Sequence, residues 1–319
     1  MFNLKNNNSL FRKKIPFWRS FWRSYFYLVL IFALFTFLAI IFGSGFNAKF
    51  NRLIQKIKNE KPEPVIIYKA EESIKILEGW TNADINSYLQ EKNFSVWGED
   101  EFLKAVGKRR VYDLKEKQNF SRDWAMEFDF LESKPENLSL EGYLFPDTYR
   151  VFASSSPEEI IYRFLSNFDK KLSPEIRAEI AKQGKTIHEI ITLASIIEKE
   201  APIFLQKNSE DAKIISGIFW NRLRIGMALQ TDATLSYIFE DKKPSHSGEE
   251  LKVDSPYNSY LYRGLPPGPI ANPGLVAIEA AIYPTKTDYL YFLTPIAGAE
   301  VYYAKTYAEH LNNKYKYLK

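Results

Sequence analysis

From Ser24 to Ala48 the chain carries no charged residue, and Tyr25 to Phe46 reads YFYLVLIFALFTFLAIIFGSGF. No other stretch limits the possible folds so sharply. As one helix it would be roughly 33 Å long, about the hydrocarbon thickness of a bilayer. Trp18, Trp22, Tyr25 and Tyr27 stand where an aromatic belt would lie. A cleaved signal peptide is the alternative, but both the apolar run and the polar segment before it are long for one. The expectation is a single N-terminal transmembrane helix over 25–46, with a basic cytoplasmic tail over 1–24 and a juxtamembrane stalk over 47–62. Basic residues flank both ends, Arg19 and Arg23 before and Lys49 and Arg52 after. The bias toward an inside N-terminus is therefore slight.

The rest of the composition mostly excludes. The net charge of +4 is too small to argue for nucleic acid, and no acidic residue precedes Glu60. Cysteine is absent, which removes disulfides, thiolate zinc sites and cysteine nucleophiles. His188, His246 and His310 are the only histidines and have no metal-ligand spacing. No metal, no cofactor and no Ser-His-Asp triad is expected. Phosphate-cradling glycine loops, the GxSxG elbow and the EF-hand loop are also missing.

After the breaker-rich KPEP a small unit follows. VIIY and SIKIL read as strands, and TNADINSYLQEKN as a helix capped by Thr81. GEDEFLKAV is a second short helix, and 109–134 is polar and irregular. A larger unit begins near Pro135. Helices are expected over about 157–170, from Thr186 (a capping box with Glu189) and over about 209–224. Asn272-Pro273 reads as the start of another helix, and YLYFLT and VYYA as late strands. The fold class is α+β.

Within the Thr186 helix, ASIIEKEA sets Glu198 and Glu200 into an aliphatic run, where charge is expensive to bury. Two residues apart on a helix, they point about 200° apart and cannot share one pocket. Glu198 lies over Ser195, Ala194 and Ile191; Glu200 lies over Ile197, Ile196 and Leu193. The smaller residues under Glu198 leave room for a cleft, whereas Glu200 would pair with a Lys or face solvent. Periodicity alone leaves a structural reading open for both. Asn221, Gln230 and Asp232 are polar groups at the margins of apolar segments. The two amides suit sugar hydroxyls, and Asp232 would equally cap a helix. Tyr257, Asn258 and Tyr260 stand beside a proline-rich loop, an aromatic-amide mixture suited to carbohydrate unless the rings are core.

EGYLFPDTY, ASIIEKEA, NRLRIGMALQTDAT, SPYNSY and GLPPGPIANPG occur in that order. Together they resemble the motif set of the MltG/YceG-like endolytic murein transglycosylases. Upstream, ILEGWTNADINSYLQEKN resembles their small LysM-like module. The resemblance implies a LysM-like module and connector over 63–134 and a mixed α+β catalytic domain over 135–319. It carries the catalytic role onto Glu198 and leaves Asn221, Gln230, Asp232, Tyr257, Asn258 and Tyr260 to bind the glycan. One carboxyl would protonate the glycosidic oxygen and then take the C6 hydroxyl proton as a 1,6-anhydro ring closes.

The activity implied is non-hydrolytic cleavage of nascent strands between N-acetylmuramic acid and N-acetylglucosamine. The implied place is the inner membrane, with glycan-polymerising penicillin-binding proteins as neighbours. A muramidase-type hydrolase using Glu198 with Asp232 or Asp147, and a non-enzymatic wall-binding scaffold, stay open.

Overall fold

The structure, a computed structural model, describes residues 17–42, 44–59, 71–92, 97–98, 100–200, 209–295 and 300–318. The chain divides into two compact units, residues 1–68 and 69–319.

In the first unit α1 spans Phe17–Phe42 and α2 spans Ser44–Asn59. Phe50 of α2 packs against Phe35 of α1, with ring centroids 4.9 Å apart, and against Phe32 at 6.5 Å. This corrects the expected anchor. The apolar run is not one helix through Phe46 but ends at Phe42, so its uncharged stretch from Tyr25 rises only about 27 Å. Among the described residues no helix is long and apolar enough to cross a membrane. The single-pass helix over 25–46 and the inner-membrane placement built on it fall together. The stretch read as a stalk lies mostly in α2, whereas VIIY lies outside the described residues.

The second unit is built from local signals that the chain spells out. Strand β1 (Glu71–Lys75) precedes α3 (Asn82–Glu91). Thr81 caps α3 through a reciprocal box with Asp84, satisfying donors that a helix start leaves open. Next come α4 (Glu101–Val106), β2 (Thr148–Phe152) and α5 (Pro157–Lys171). Ser156, Pro157 and Glu159 start α5 by the same chemistry. Helix α6 (Pro174–Lys182), not expected from the sequence, is capped by Ser173 with Pro174 in its first turn.

Helices α7 (Ile187–Glu200), α8 (Ser209–Arg224), α9 (Asp232–Phe239) and α10 (Leu275–Ile282) follow. The chain closes with β3 (Tyr291–Leu293), β4 (Tyr302–Ala304) and α11 (Tyr307–Tyr317). The sheets are two antiparallel pairs, β1 with β2 and β3 with β4. In the first, Ile74 sits opposite Tyr149 and both are buried. A strand of the expected small module thus pairs with one from beyond residue 135.

Helix α7 is the centre. Its residues Ile190 through Glu198 are all buried, and it packs against α10, α9, α8 and α6. Phe130, Tyr143, Phe164 and Phe168 fill the core beside it. Two expected caps are corrected. Helix α9 is capped by Thr231 rather than Asp232. Helix α10 starts at Leu275 after Gly274, not at Pro273, because the Asn272 side chain is used elsewhere.

Candidate active site

The two glutamates of α7 have separate surroundings, as their helical phase requires. Ser195 and Glu198 share the face turned to the proline-rich loop before α10. Ile270 donates its N–H to the Ser195 hydroxyl at 3.0 Å, and Gly274 donates its N–H to Glu198 Oε2 at 2.9 Å. Glu198 is 5% exposed. Burial pushes its carboxyl up to about 7, against the lowering effect of the Gly274 bond, and the nearby Glu78 charge pushes the same way as burial. Such a group holds its proton near neutrality and can also release it.

Glycines frame this carboxyl. Gly79, at φ +74°, sits where a Cβ would touch the Glu198 side chain, and a Cβ on Gly274 would land on the Glu78 carboxylate. Glu78 itself is exposed. Neither glycine nor Glu78 is singled out by the sequence reading.

Asn272 locks the loop that holds Glu198. It is fully buried. Its Oδ1 accepts from the Leu144 N–H at 2.9 Å, and its Nδ2 donates to the Trp80 carbonyl at 2.9 Å and to Glu141 Oε1 at 3.3 Å. Its backbone bonds both ways to the Gly79–Trp80 segment. Three distant segments thus meet at one amide. Glu141, another group the sequence reading passed over, is 4% exposed and accepts from the Asn82 N–H at 3.0 Å. Burial pushes its carboxyl up to about 8. A glutamate ahead of the apolar GYLF run was the one signal that could have pointed to it.

Among the described residues Glu200 pairs with no Lys, and it does not simply face solvent. It is partly buried and accepts from the Thr231 hydroxyl, and burial raises its pKa. Asp232 stands nearby, accepting from the Tyr260 hydroxyl at 3.2 Å and lying 3.2 Å from His246 Nδ1. Asp232 and Tyr260 are therefore together, and Gln230 is exposed two residues before, in the left-handed region at φ 51°.

The remaining candidates have committed side chains. Asn221 donates to the carbonyls of Thr287 and Tyr289, and Asn258 to those of Leu251 and Val253. Tyr257 is 3% exposed and packs on Tyr237. Asp147 accepts from Asn167 and is ion-paired with Lys171 at 3.7 Å. Among the described residues no group of three or more His, Asp or Glu could hold a metal ion.

The raised carboxyls fix a pH dependence. Each takes up a proton on folding that the unfolded chain releases near its ordinary value, so its stabilising share is intact at low pH. For Glu141 that share is lost as pH rises from about 4.5 through about 8. Glu141→Gln carries no such proton. Its stability relative to the parent should grow across that window by on the order of a few kcal/mol, read by urea unfolding. A constant difference would show that Glu141 ionises normally.

The sequence model of the YceG-like family matches residues 46–316. The chain is 41% identical over 179 residues to the endolytic murein transglycosylase of Bacillus subtilis, covering 56% of this chain and 48% of that protein. It is 40% identical over 187 residues to the endolytic murein transglycosylase of Streptococcus pneumoniae serotype 2, covering 55% and 33%. The matches thus span half or less of these relatives' own length. A crystal structure of a yceG-like protein from Listeria monocytogenes superposes with a TM-score of 0.64 at 33% identity, covering 82% of this chain and 80% of that one. By the extent of the family match, the chain belongs to the YceG-like family.

Proposed function

We propose that the protein is an endolytic murein transglycosylase that cuts peptidoglycan strands with Glu198 as its single acid and base. The observation that carries this reading is the Glu198 carboxyl, buried, raised to about 7 and held by one backbone N–H. The bond from Gly274 occupies Oε2, which leaves Oε1 to carry the proton. That proton passes to the glycosidic oxygen as the bond to the anomeric carbon breaks. The carboxylate then accepts the proton of the muramic C6 hydroxyl, whose oxygen closes on the anomeric carbon. No water is consumed. Gln230, Asp232 and Tyr260 are proposed to face the glycan. Residues 63–134 are read as a LysM-like module preceding a catalytic part over 135–319. Glycan polymerases are the proposed neighbours, since they make the strands to be cut. The 40–41% identical relatives bearing this name support the reading.

Digestion of purified glycan strands followed by mass spectrometry tests it. The products should carry 1,6-anhydro-muramic ends, about 18 Da lighter than hydrolysed ends because no water is added. Cleavage should also fall as pH rises past about 7, where Glu198 loses its proton. A second reading has its own support. The charge of Glu78 raises the Glu198 carboxyl further, and reducing ends among the products would favour a muramidase with Glu78, Asp147 or Asp232 as its second carboxylate.

A further inference from the structure

A cavity of about 420 Å³ lies beside α3 and α4, with Asn82, Leu103, Lys104, Lys108, Arg109 and Glu141 on its wall. Two buried donors there, Asn82 Nδ2 and Arg109 Nε, have no partner among the described residues. Asn82 is 5% exposed. Its Oδ1 accepts from Asn272 at 3.3 Å, which fixes the other end of the amide as the unsatisfied one. The terminal nitrogens of Arg109 are already spent on Glu240 and on the carbonyls of Tyr237 and Ile238. Glu141 stands beside them with both carboxyl oxygens engaged, Oε1 by the Asn82 N–H and Asn272 and Oε2 by the Asn82 N–H at 3.3 Å. Lys104 and Lys108 are exposed on the same wall; of its other acidic residues, Asp100 and Glu240, the latter is paired with Arg109. Buried donors left unmade are costly and rare. Two unmet donors on residues of a wall that also carries two lysines suit an anionic acceptor.

We propose that this cavity binds a carboxylate of the peptide stem carried by the muramic acid of the strand being cut. The inference rests on the reading of Glu198 as a murein-cutting acid. Asn272 bonds to both Asn82 and Glu141 and lies two residues before Gly274, whose N–H holds Glu198. The cavity and the reacting carboxyl therefore share one loop.

Calorimetric titration of the full chain with a free tetrapeptide stem, L-Ala-γ-D-Glu-L-Lys-D-Ala with no sugar, should show binding. The same peptide with its carboxylates amidated should bind at least about tenfold more weakly, the worth of one charged hydrogen bond. Asn82→Asp keeps shape and the bond from Asn272 but replaces the unpartnered donor with negative charge. It should also cost about tenfold or more. Lys108→Glu lies on an exposed rim where folding is not at risk and should cost about threefold. Equal binding of free and amidated peptide, indifference to both substitutions, or no binding at all would overturn the site. Full displacement by acetate would reduce it to a small-anion site and overturn the peptide assignment. Strand cleavage is scored separately. Peptide binding without cleavage sinks the reading of Glu198 and leaves the carboxylate site standing, and cleavage without peptide binding does the reverse.

Discussion

Glu198→Gln should lower strand cleavage at least ~10²-fold, the usual worth of general acid-base catalysis, while the fold survives. The amide keeps an oxygen to accept the Gly274 N–H, yet it cannot pass a proton to the glycosidic oxygen or take one from the C6 hydroxyl. Stability at neutral pH should rise slightly, because a raised carboxyl is a cost that the native state bears. Glu200→Gln is the matched control. It sits on the other face of α7 against Thr231, so it should keep most activity, and any loss should track its melting temperature. If Glu200→Gln is the dead variant and Glu198→Gln is active, the roles are reversed. If both are active, Glu198 is a structural carboxylate and the scaffold reading takes over.

Gly142→Ala should be the most destabilising single-methyl change near the site, by about 3 kcal/mol or more. Gly142 sits at φ +88°, and a Cβ there would overlap the Pro269 ring and press on Ile191. Two independent penalties add: a left-handed backbone, and overlap with a proline that has no rotamer to give. Because Pro269 belongs to the loop holding Glu198, activity should fall with stability. Denaturant midpoints for parent and variant check this. A change under about 1 kcal/mol would mean that the loop yields, and that the EGYLF and PPGPIANPG segments are not rigidly stacked.

Much of the second unit was legible from local chemistry. Thr81 with Asp84 and Thr186 with Glu189 cap the helices that their spacing announces. The opposite facing of Glu198 and Glu200 follows from helical geometry alone. Helix α6 was missed although Ser173-Pro174 is a sound start signal, because its one buried residue, Ile180, leaves little apolar stripe to read. The N-terminal run misled for the opposite reason. Composition gave its apolar length, but not the end of α1 at Phe42 or the packing of Phe50 against Phe32 and Phe35.

The caps at Thr81 and Thr186 and the helical phase of the two glutamates were determined by the sequence itself, because each depends on atoms within about four residues. What Glu198 can do was decided by the tertiary structure. Its holding bond comes from Gly274, 76 residues away, and the Asn272–Glu141 contact that locks that loop spans 131. Asn272 looked like a local cap and is instead spent on Trp80, Leu144 and Glu141. A carboxyl's proton affinity is set by the water that surrounding segments remove from it, and only the packed fold says which segments those are.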